Sequence, residues 1–464
     1  MKSLHKSGSL LVALLMISMA LAACDSNNAA APTAVTAATK APAMAATNSP
    51  MMAAATSTPA MAMTSTSMMT PTAAPVIVGE KGSKGVIKIA VDLPTSGADA
   101  SDGIPTRNGV QLAIEEANKA GEVLPGYKLE MYALDDAVNG VHNPQQGASN
   151  AQAFIADNDV IAMVGPFNSN VARAIMPIMN DANVAHISPS NTNEKLTKPE
   201  FGETTTYRPT GIITYFRVCT TDDIQGPAAA NYAFDKLGAK SVYILDDQEA
   251  YGKGISDNFE KQFKSKGGTI LGHDGVPKGT TDFGTIVPKV AATNPALVFY
   301  GGTTSNGVGL FRKQMKDKMA NVPLMGGDGI VEQQMADDAG DNSTGVYGTV
   351  AAVNAETLPE AKAFLTNYKA RFNANVGSYS ANGYEAANII IAAIKAKASK
   401  WKDGNQVSNR EAVRAAVAAT KDFKGVTGST SFDANGDTTN KYISIYKIEG
   451  GAFKFIDQIK FGGQ

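Results

Sequence analysis

The stretch VIAMVGPFNSNVARAIMPIMNDANVAHISPSNTN, residues 160–193, decides the fold class of this chain. Its two short apolar runs, VIAMV and VAHI, flank a segment whose apolar residues recur at helical spacing. A strand, a helix and a second strand in this order predict a βαβ unit with two parallel strands. Polar residues follow each of the two predicted strands directly.

Short apolar runs alternate with amphipathic stretches over most of the chain after residue 84. The runs VIKIAVDL, KLEMYALDD, VIAMV and VAHI form a first series, and a second series, SVYILDD, ALVFYGG and VPLMGGDG, begins after Asp222. Repeated βα units predict an α/β protein with two doubly wound, Rossmann-like lobes joined by a multi-strand hinge. We assign residues 85–220 and 352–430 to lobe 1 and residues 221–351 and 431–464 to lobe 2.

The N-terminal segment has the pattern of an export signal. Two lysines precede the apolar run LLVALLMISMALAA, so residues 1–23 predict a signal peptide, and the run is too short to span a membrane. The sequence LAAC that ends at Cys24 resembles the lipobox of bacterial lipoproteins, which implies that a lipid is attached to Cys24. The alternative is an ordinary cleavage site with a chance cysteine.

Residues 24–84 consist mainly of Ala, Thr, Ser, Pro and Met, without a steady helical or strand period. Such a composition predicts a flexible linker, here anchored through the lipid on Cys24. The mature chain is therefore expected to be extracytoplasmic and held at the membrane surface.

The charge balance and the absence of catalytic motifs exclude several classes of protein. The 41 basic and 43 acidic residues leave no basic excess for a nucleic-acid partner. The four histidines lack metal-ligand spacing, and there is no G-x-S-x-G elbow, so we expect no metal, no cofactor and no enzyme activity. A solute receptor that feeds a permease, an extracellular sensor and a hydrolase remain, and the receptor is favoured.

Ligands of open α/β sheets bind beyond the carboxyl ends of the strands, where helix N-termini offer free N–H groups. Ser169, Ser190 and Thr192 follow strands of the first series and suit a carboxylate, whereas Asp328 follows a strand of the second series and suits an ammonium group. Together they indicate a zwitterion, an α-amino acid. Each residue alone has an ordinary alternative, a helix N-cap for the hydroxyls and a solvated turn for Asp328.

The order of the loops GPFNS, ISPSNTNEKLT, DDIQG, DDQEAYGKG, LVFYGG and LMGGDG resembles that of the leucine/isoleucine/valine-binding proteins of ABC importers, which have the type I periplasmic-binding fold. The resemblance covers about residue 85 to the C-terminus and implies a partnership with a permease. It also implies that the hydroxyl residues named above hold the ligand carboxylate, that Tyr251 and Asp328 face its amino group, and that Asp222 lies where the chain crosses between lobes. We expect a monomer.

Two departures from that family concern the ligand side chain. Asp102, which we expect in the loop after the first strand, and Thr303, which follows YGG, stand where well-known members place an aromatic ring against the ligand. The resemblance favours a branched-chain or aliphatic amino acid, whereas these two residues favour a polar amino acid or a small amide such as urea. Both interpretations stay open at the level of the sequence.

Overall fold

The computed structural model describes residues 74–461 of the chain. The predicted signal peptide, Cys24 and most of the predicted linker lie outside the described residues.

The strands of the described residues form one large sheet in each lobe and two small hairpins. They are β1 (Val76–Gly79), β2 (Gly85–Leu93), β3 (Tyr127–Asp135), β4 (Ala137–Val138), β5 (Val141–His142), β6 (Val160–Val164), β7 (Ala185–Ser188), β8 (Tyr215–Arg217), β9 (Ser241–Asp246), β10 (Thr269–Gly275), β11 (Leu297–Gly301), β12 (Leu324–Gly326), β13 (Val346–Val350), β14 (Phe423–Gly425), β15 (Gly428–Thr430), β16 (Lys441–Glu449) and β17 (Ala452–Phe461).

The α-helices of the same part of the chain cover the faces of the large sheets. They are α1 (Ala100–Ala120), α2 (Pro144–Ala156), α3 (Ser169–Asp181), α4 (Thr204–Tyr207), α5 (Asp222–Asn231), α6 (Ala250–Ser265), α7 (Ile286–Ala292), α8 (Val308–Gln314), α9 (Lys316–Met319), α10 (Gln333–Ala339), α11 (Lys362–Phe372), α12 (Ser380–Ala396) and α13 (Arg410–Ala418).

Both sheets have the interrupted strand order of doubly wound folds, as predicted. The order is β1-β3-β2-β6-β7-β8 in lobe 1 and β10-β9-β11-β12-β13-β16-β17 in lobe 2. The strands pair in parallel except at β1–β3, β13–β16 and β16–β17. Central strands such as β6 and β11 are buried along their whole length, which explains their continuous apolar sequence. Helices α11 to α13 come late in the chain, and α12 returns to pack against α1 of lobe 1.

Within residues 74–461, three chain segments cross between the lobes and hydrogen-bond to one another. The backbone N–H of Thr220 donates to the carbonyl of Ala351 at 2.7 Å, and the Thr220 hydroxyl donates to the carbonyl of Tyr442 at 2.9 Å. The Ser444 hydroxyl donates to the carbonyl of Ala352 at 2.7 Å. These bonds tie the crossing segments into one connection, which is the multi-strand hinge expected from the sequence.

The structure differs from the sequence-based expectations at two element boundaries. Strand β1 lies inside the segment assigned to the linker, because it finds a partner in β3, where Val76 pairs antiparallel with Ala133. Helix α1 begins at Ala100, within the stretch expected to be a loop after the first strand. Asp102 therefore lies on the first turn of a helix, and its orientation is fixed by that helix.

Candidate functional site

Asp328 lies at the carboxyl end of β12 and accepts hydrogen bonds from both lobes. Gln225 Nε2 and the Tyr251 hydroxyl donate to Oδ1, and the Tyr379 hydroxyl donates to Oδ2, all at 2.9 Å. Gln225 and Tyr251 belong to α5 and α6 of lobe 2, whereas Tyr379 directly precedes α12 of lobe 1. Burial raises the pKa of Asp328, and the three hydrogen bonds, which favour the ionised form, oppose this rise. All three donors are uncharged, so the ionised carboxylate keeps its negative charge inside the cleft.

The two glycines beside Asp328 allow Tyr251 to approach it closely. A Cβ on Gly327 would lie 2.3 Å from the Tyr251 hydroxyl oxygen, and a Cβ on Gly329 would lie 2.9 Å from the same ring. The Tyr251 hydroxyl also accepts the backbone N–H of Gly329 at 3.0 Å. The sequence GGDG thus places the carboxylate against the tyrosine because neither flanking residue has a side chain.

The three hydroxyl residues predicted to hold a carboxylate are buried on the lobe 1 side. Ser169 is the first residue of α3, and the Ser190 hydroxyl donates to the carbonyl of Phe167 at 2.9 Å. The hydroxyl of Thr192 is buried without a hydrogen-bond partner among the described residues. The ring of Phe167 meets the ring of Tyr379 edge to face, with centroids 5.7 Å apart. Ser190 thus contacts Phe167, Phe167 packs against Tyr379, and Tyr379 donates to Asp328.

Asp222 begins α5 directly after the crossing from lobe 1 to lobe 2. Its backbone N–H donates to the carbonyl of Thr192 at 2.8 Å, so the crossing is tied to the hydroxyl group of lobe 1. The Asp222 side chain is fully buried, and burial raises its pKa well above the ordinary value, with the negative charges of Glu194 and Asp328 adding to the effect. Asp222 thus lies next to a segment that crosses between the lobes, as the family resemblance implied.

Thr303 and Asp102 approach the site from different lobes. Thr303 follows β11, and its methyl group would lie 3.1 Å from a Cβ on Gly329, so it stands beside Asp328. Its hydroxyl shares a hydrogen bond with Ser305 at 2.8 Å. Asp102 is buried, and the charge of Asp328 is among those that raise its pKa. The structure therefore places Thr303 beside Asp328 and brings Asp102 near enough for the charge of Asp328 to act on it.

Tyr379 and Gln225 are contacts of Asp328 that sequence reasoning missed. Tyr379 directly precedes α12, and Gln225 lies within the loop string DDIQG without being singled out. The only feature of the sequence that could have drawn attention to Tyr379 is its position just before a helix N-terminus. Neither residue belongs to a local motif, because their meeting depends on how the two lobes pack.

A second set of contacts joins the lobes through His142. Its Nδ1 lies 2.6 Å from Asp99 of lobe 1, and its Nε2 lies 2.8 Å from Glu249, which precedes α6 of lobe 2. Lys278 donates to the His142 carbonyl and to Glu249, both at 3.0 Å. Burial alone would lower the pKa of His142, but the two carboxylates outweigh it and raise the pKa to about 10. A charged imidazolium thus links the lobes at neutral pH.

The described residues show neither a candidate metal centre nor a candidate membrane span. No group of three or more His, Cys, Asp or Glu side chains within residues 74–461 could hold a metal ion. In the same range, no helix combines the length and the apolar character needed to cross a bilayer.

Comparison with known proteins gives consistent matches over the described residues. The family model described as "Periplasmic binding protein" matches residues 86–452. The Leu/Ile/Val-binding protein BraC3 of Rhizobium johnstonii is 30% identical over 365 residues, which cover 79% of this chain and 92% of that protein.

Two solved structures are similar to this chain in both sequence and fold. The branched-chain amino acid substrate-binding protein LivJ of Streptococcus pneumoniae, in complex with isoleucine, has 28% identity and a TM-score of 0.70, over 81% of this chain and 99% of that one. The leucine-binding protein LivK of Thermotoga maritima has 26% identity and a TM-score of 0.69, over 80% of this chain and 98% of that one.

Proposed function

Because the chain belongs to the periplasmic binding protein family, we propose that it captures an α-amino acid between its two lobes and delivers it to an ABC importer. The observation that carries this proposal is Asp328, a buried carboxylate that accepts three uncharged donors. A ligand ammonium would supply the missing positive charge. The ligand carboxylate would meet Ser169, Ser190 and Thr192, of which Thr192 has a buried hydroxyl without a partner in the described part of the chain.

The names of the relatives make branched-chain amino acids the first ligands to test. BraC3 is named a Leu/Ile/Val-binding protein, and the LivJ structure contains isoleucine. A ligand with a polar side chain, or a small amide such as urea, is the second candidate, because Asp102 and Thr303 lie at the site where an aliphatic side chain would need an apolar surface. An extracellular sensor would use the same binding step with a different downstream partner.

The remaining parts of the proposal concern location and partners. A lipid on Cys24 would hold the chain at the outer face of the cell membrane, where the linker lets the lobes reach a permease. The chain would act as a monomer. Its role would be binding without chemistry on the ligand, because the proposed site holds the two charged ends of an amino acid.

Isothermal titration of the purified protein with a panel of amino acids, urea and short amides tests the proposal. We expect saturable 1:1 binding of at least one zwitterionic amino acid and weak or no binding of its amide and of its N-acetyl form, which each lose one head-group charge. Small-angle scattering at saturation should show a smaller radius of gyration, because a ligand that contacts both lobes favours the closed state. Equal binding of a free amino acid and its N-acetyl form would refute the head-group assignment.

A further inference from the structure

Asp102 of lobe 1 and Glu332 of lobe 2 form a buried pair of carboxyl groups across the cleft. Their side chains are close enough to hydrogen-bond each other, and only 8% and 6% of each residue is exposed. Two carboxyls share a hydrogen bond only when one of them is protonated. Glu332 Oε2 accepts the Ser101 hydroxyl, whereas Glu332 Oε1 is buried with no donor among the described residues. The pair therefore lacks a positive partner, although its geometry suits one.

The pair borders a cavity of about 630 Å³ at the boundary of the lobes. This volume lies within the range of small-molecule sites, about 300–1,000 Å³. Apolar side chains, among them Val331, Tyr446 and Phe453, form part of its wall. The cavity therefore combines apolar side chains in its wall with two buried carboxyl groups at its border.

The cavity adjoins the proposed head-group site. Ser378 lines it and donates to the carbonyl of Val331 at 2.9 Å, and the next residue, Tyr379, donates to Asp328. Val331 and Glu332 follow Asp328 by only a few residues. Residues next to Asp328 and Tyr379 in the chain thus line the cavity, and Asp328 is near enough to Asp102 for its charge to act on it.

We propose that the Asp102–Glu332 pair is a subsite for the positive end of a basic amino acid, whose methylene chain crosses the apolar part of the cavity. The inference rests on the proposed amino-acid function and specifies its side-chain class. An ammonium or guanidinium group there would replace the shared proton and give Glu332 Oε1 a donor. Basic amino acids such as lysine, ornithine and arginine have a chain of suitable length and a cationic end.

The charges around the Asp102–Glu332 pair favour the binding of a positively charged group. Asp99 and Asp328 face it with further negative charge, and Asp99 is itself paired with His142. Ser101 is the uncharged donor to Glu332, whereas the Thr304 hydroxyl donates to the carbonyl of Gly329. Glu356 and Lys454 also line the cavity and are both exposed, so they face solvent at its edge. Burial raises the pKa of Asp102 well above its ordinary value and that of Glu332 to about 7, and the negative charge of Asp99 adds to the rise of each.

The test compares lysine with norleucine, which has the same number of side-chain carbons and no charge at the end. Isothermal titration of the full protein at pH 7 should give a lysine affinity at least about 30-fold higher than that of norleucine, the ratio expected for a buried, hydrogen-bonded charge pair. Asp102→Asn and Glu332→Gln keep the shape of each side chain and should remove most of that preference. Asp317→Asn, on the exposed surface of α9, removes the same charge and should change neither affinity.

A second readout follows the displaced proton. Lysine binding at pH 6 to 7 should release a proton, so its titration enthalpy should differ between buffers of high and low ionisation enthalpy, whereas that of norleucine should not. Norleucine or leucine binding as tightly as lysine, with the Asp328 head-group site intact, would overturn the basic subsite and leave the amino-acid function standing. Loss of binding for every amino acid tested would instead refute the proposed function itself.

Discussion

The hydroxyl of Tyr379 in lobe 1 donates to the carboxylate of Asp328 in lobe 2 at 2.9 Å. The bond crosses the cleft and ends on the residue that we propose to hold the ligand ammonium. We therefore expect it to form only when the lobes are closed, where it holds the carboxylate together with Tyr251 and Gln225 of lobe 2. Closure and recognition of the ligand meet at a single side chain.

Tyr379→Phe removes this bond and should shift the balance of the lobes toward the open state. We expect an affinity loss of about fivefold, since a hydrogen bond of this kind contributes about 1 kcal/mol. Titration measures the loss, and scattering without ligand measures the shift. Tyr368→Phe is the matched control, because its hydroxyl donates to the carbonyl of Pro105 within lobe 1 at 3.0 Å. An equal effect of both variants would show that the bond across the cleft has no special part in closure.

The contact of His142 with Asp99 and Glu249 should make the closed form sensitive to pH. The pKa of His142 is raised from 6.5 to about 10, so the stability that it adds is fully present below pH 6.5 and is lost as the pH rises through about 10. The pKa values of Asp99 and Glu249 are lowered from 3.8 and 4.5 because His142 outweighs their burial. The stability that Asp99 and Glu249 contribute is fully present above their ordinary pKa values. It is lost as the pH falls through their lowered pKa values.

His142→Gln should therefore lower the melting temperature most between about pH 4.5 and 6.5, and the difference from the wild type should shrink toward pH 10. Melting curves across this range measure it. His273→Gln is the control for closure, since the partners of His273, Asp246 and Glu260, both lie in lobe 2. Only the His142 variant should enlarge the radius of gyration. A constant difference in melting temperature from pH 5 to 10 would contradict an ionic link.

Cys24→Ser should release the chain from the membrane fraction if the LAAC sequence directs lipid attachment. A single acyl chain gives only reversible binding, so stable attachment requires the two or more chains of a lipoprotein anchor. Cell fractionation and immunoblotting measure the change. Cys219→Ser, which alters the buried cysteine after β8, should leave the membrane attachment intact. Quantitative retention of the Cys24 variant would contradict the anchor.

The fold could be predicted from the sequence, and so could the positions of several residues of the candidate site. Strand and helix periods are local, so the βα units and the polar residues at strand ends, such as Ser169 and Asp328, could be read directly. The role of Tyr379 depends on Asp328, which lies more than forty positions away in the chain. That of Glu332 depends on Asp102, which lies more than two hundred positions away. Asp102 was expected in a loop, because the first turns of α1 contain Gly103 and Pro105, which are typical of loops. No local pattern shows that two lone acids will face each other across a cleft.

Asp328→Asn should nearly abolish the binding of every zwitterionic amino acid. The change keeps the size of the side chain but leaves the ligand ammonium desolvated and unpaired in the closed cleft, a loss of about 3–5 kcal/mol or a few hundredfold or more in affinity. Titration with the amino acid that binds the wild type best measures this loss. Asp317→Asn serves again as the control, because it removes one negative charge from the exposed surface of lobe 2.

The same residue predicts how affinity depends on pH. Only ionised Asp328 attracts an ammonium group, and burial raises its pKa above the ordinary value of 3.8. Wild-type affinity should therefore begin to fall at a higher pH on acidification than an exposed aspartate would produce, while the residual affinity of Asp328→Asn should stay flat over the same range. If the variant lost less than tenfold in affinity and kept the wild-type pH profile, the ammonium would have to be bound elsewhere, and the head-group site would need to be reassigned.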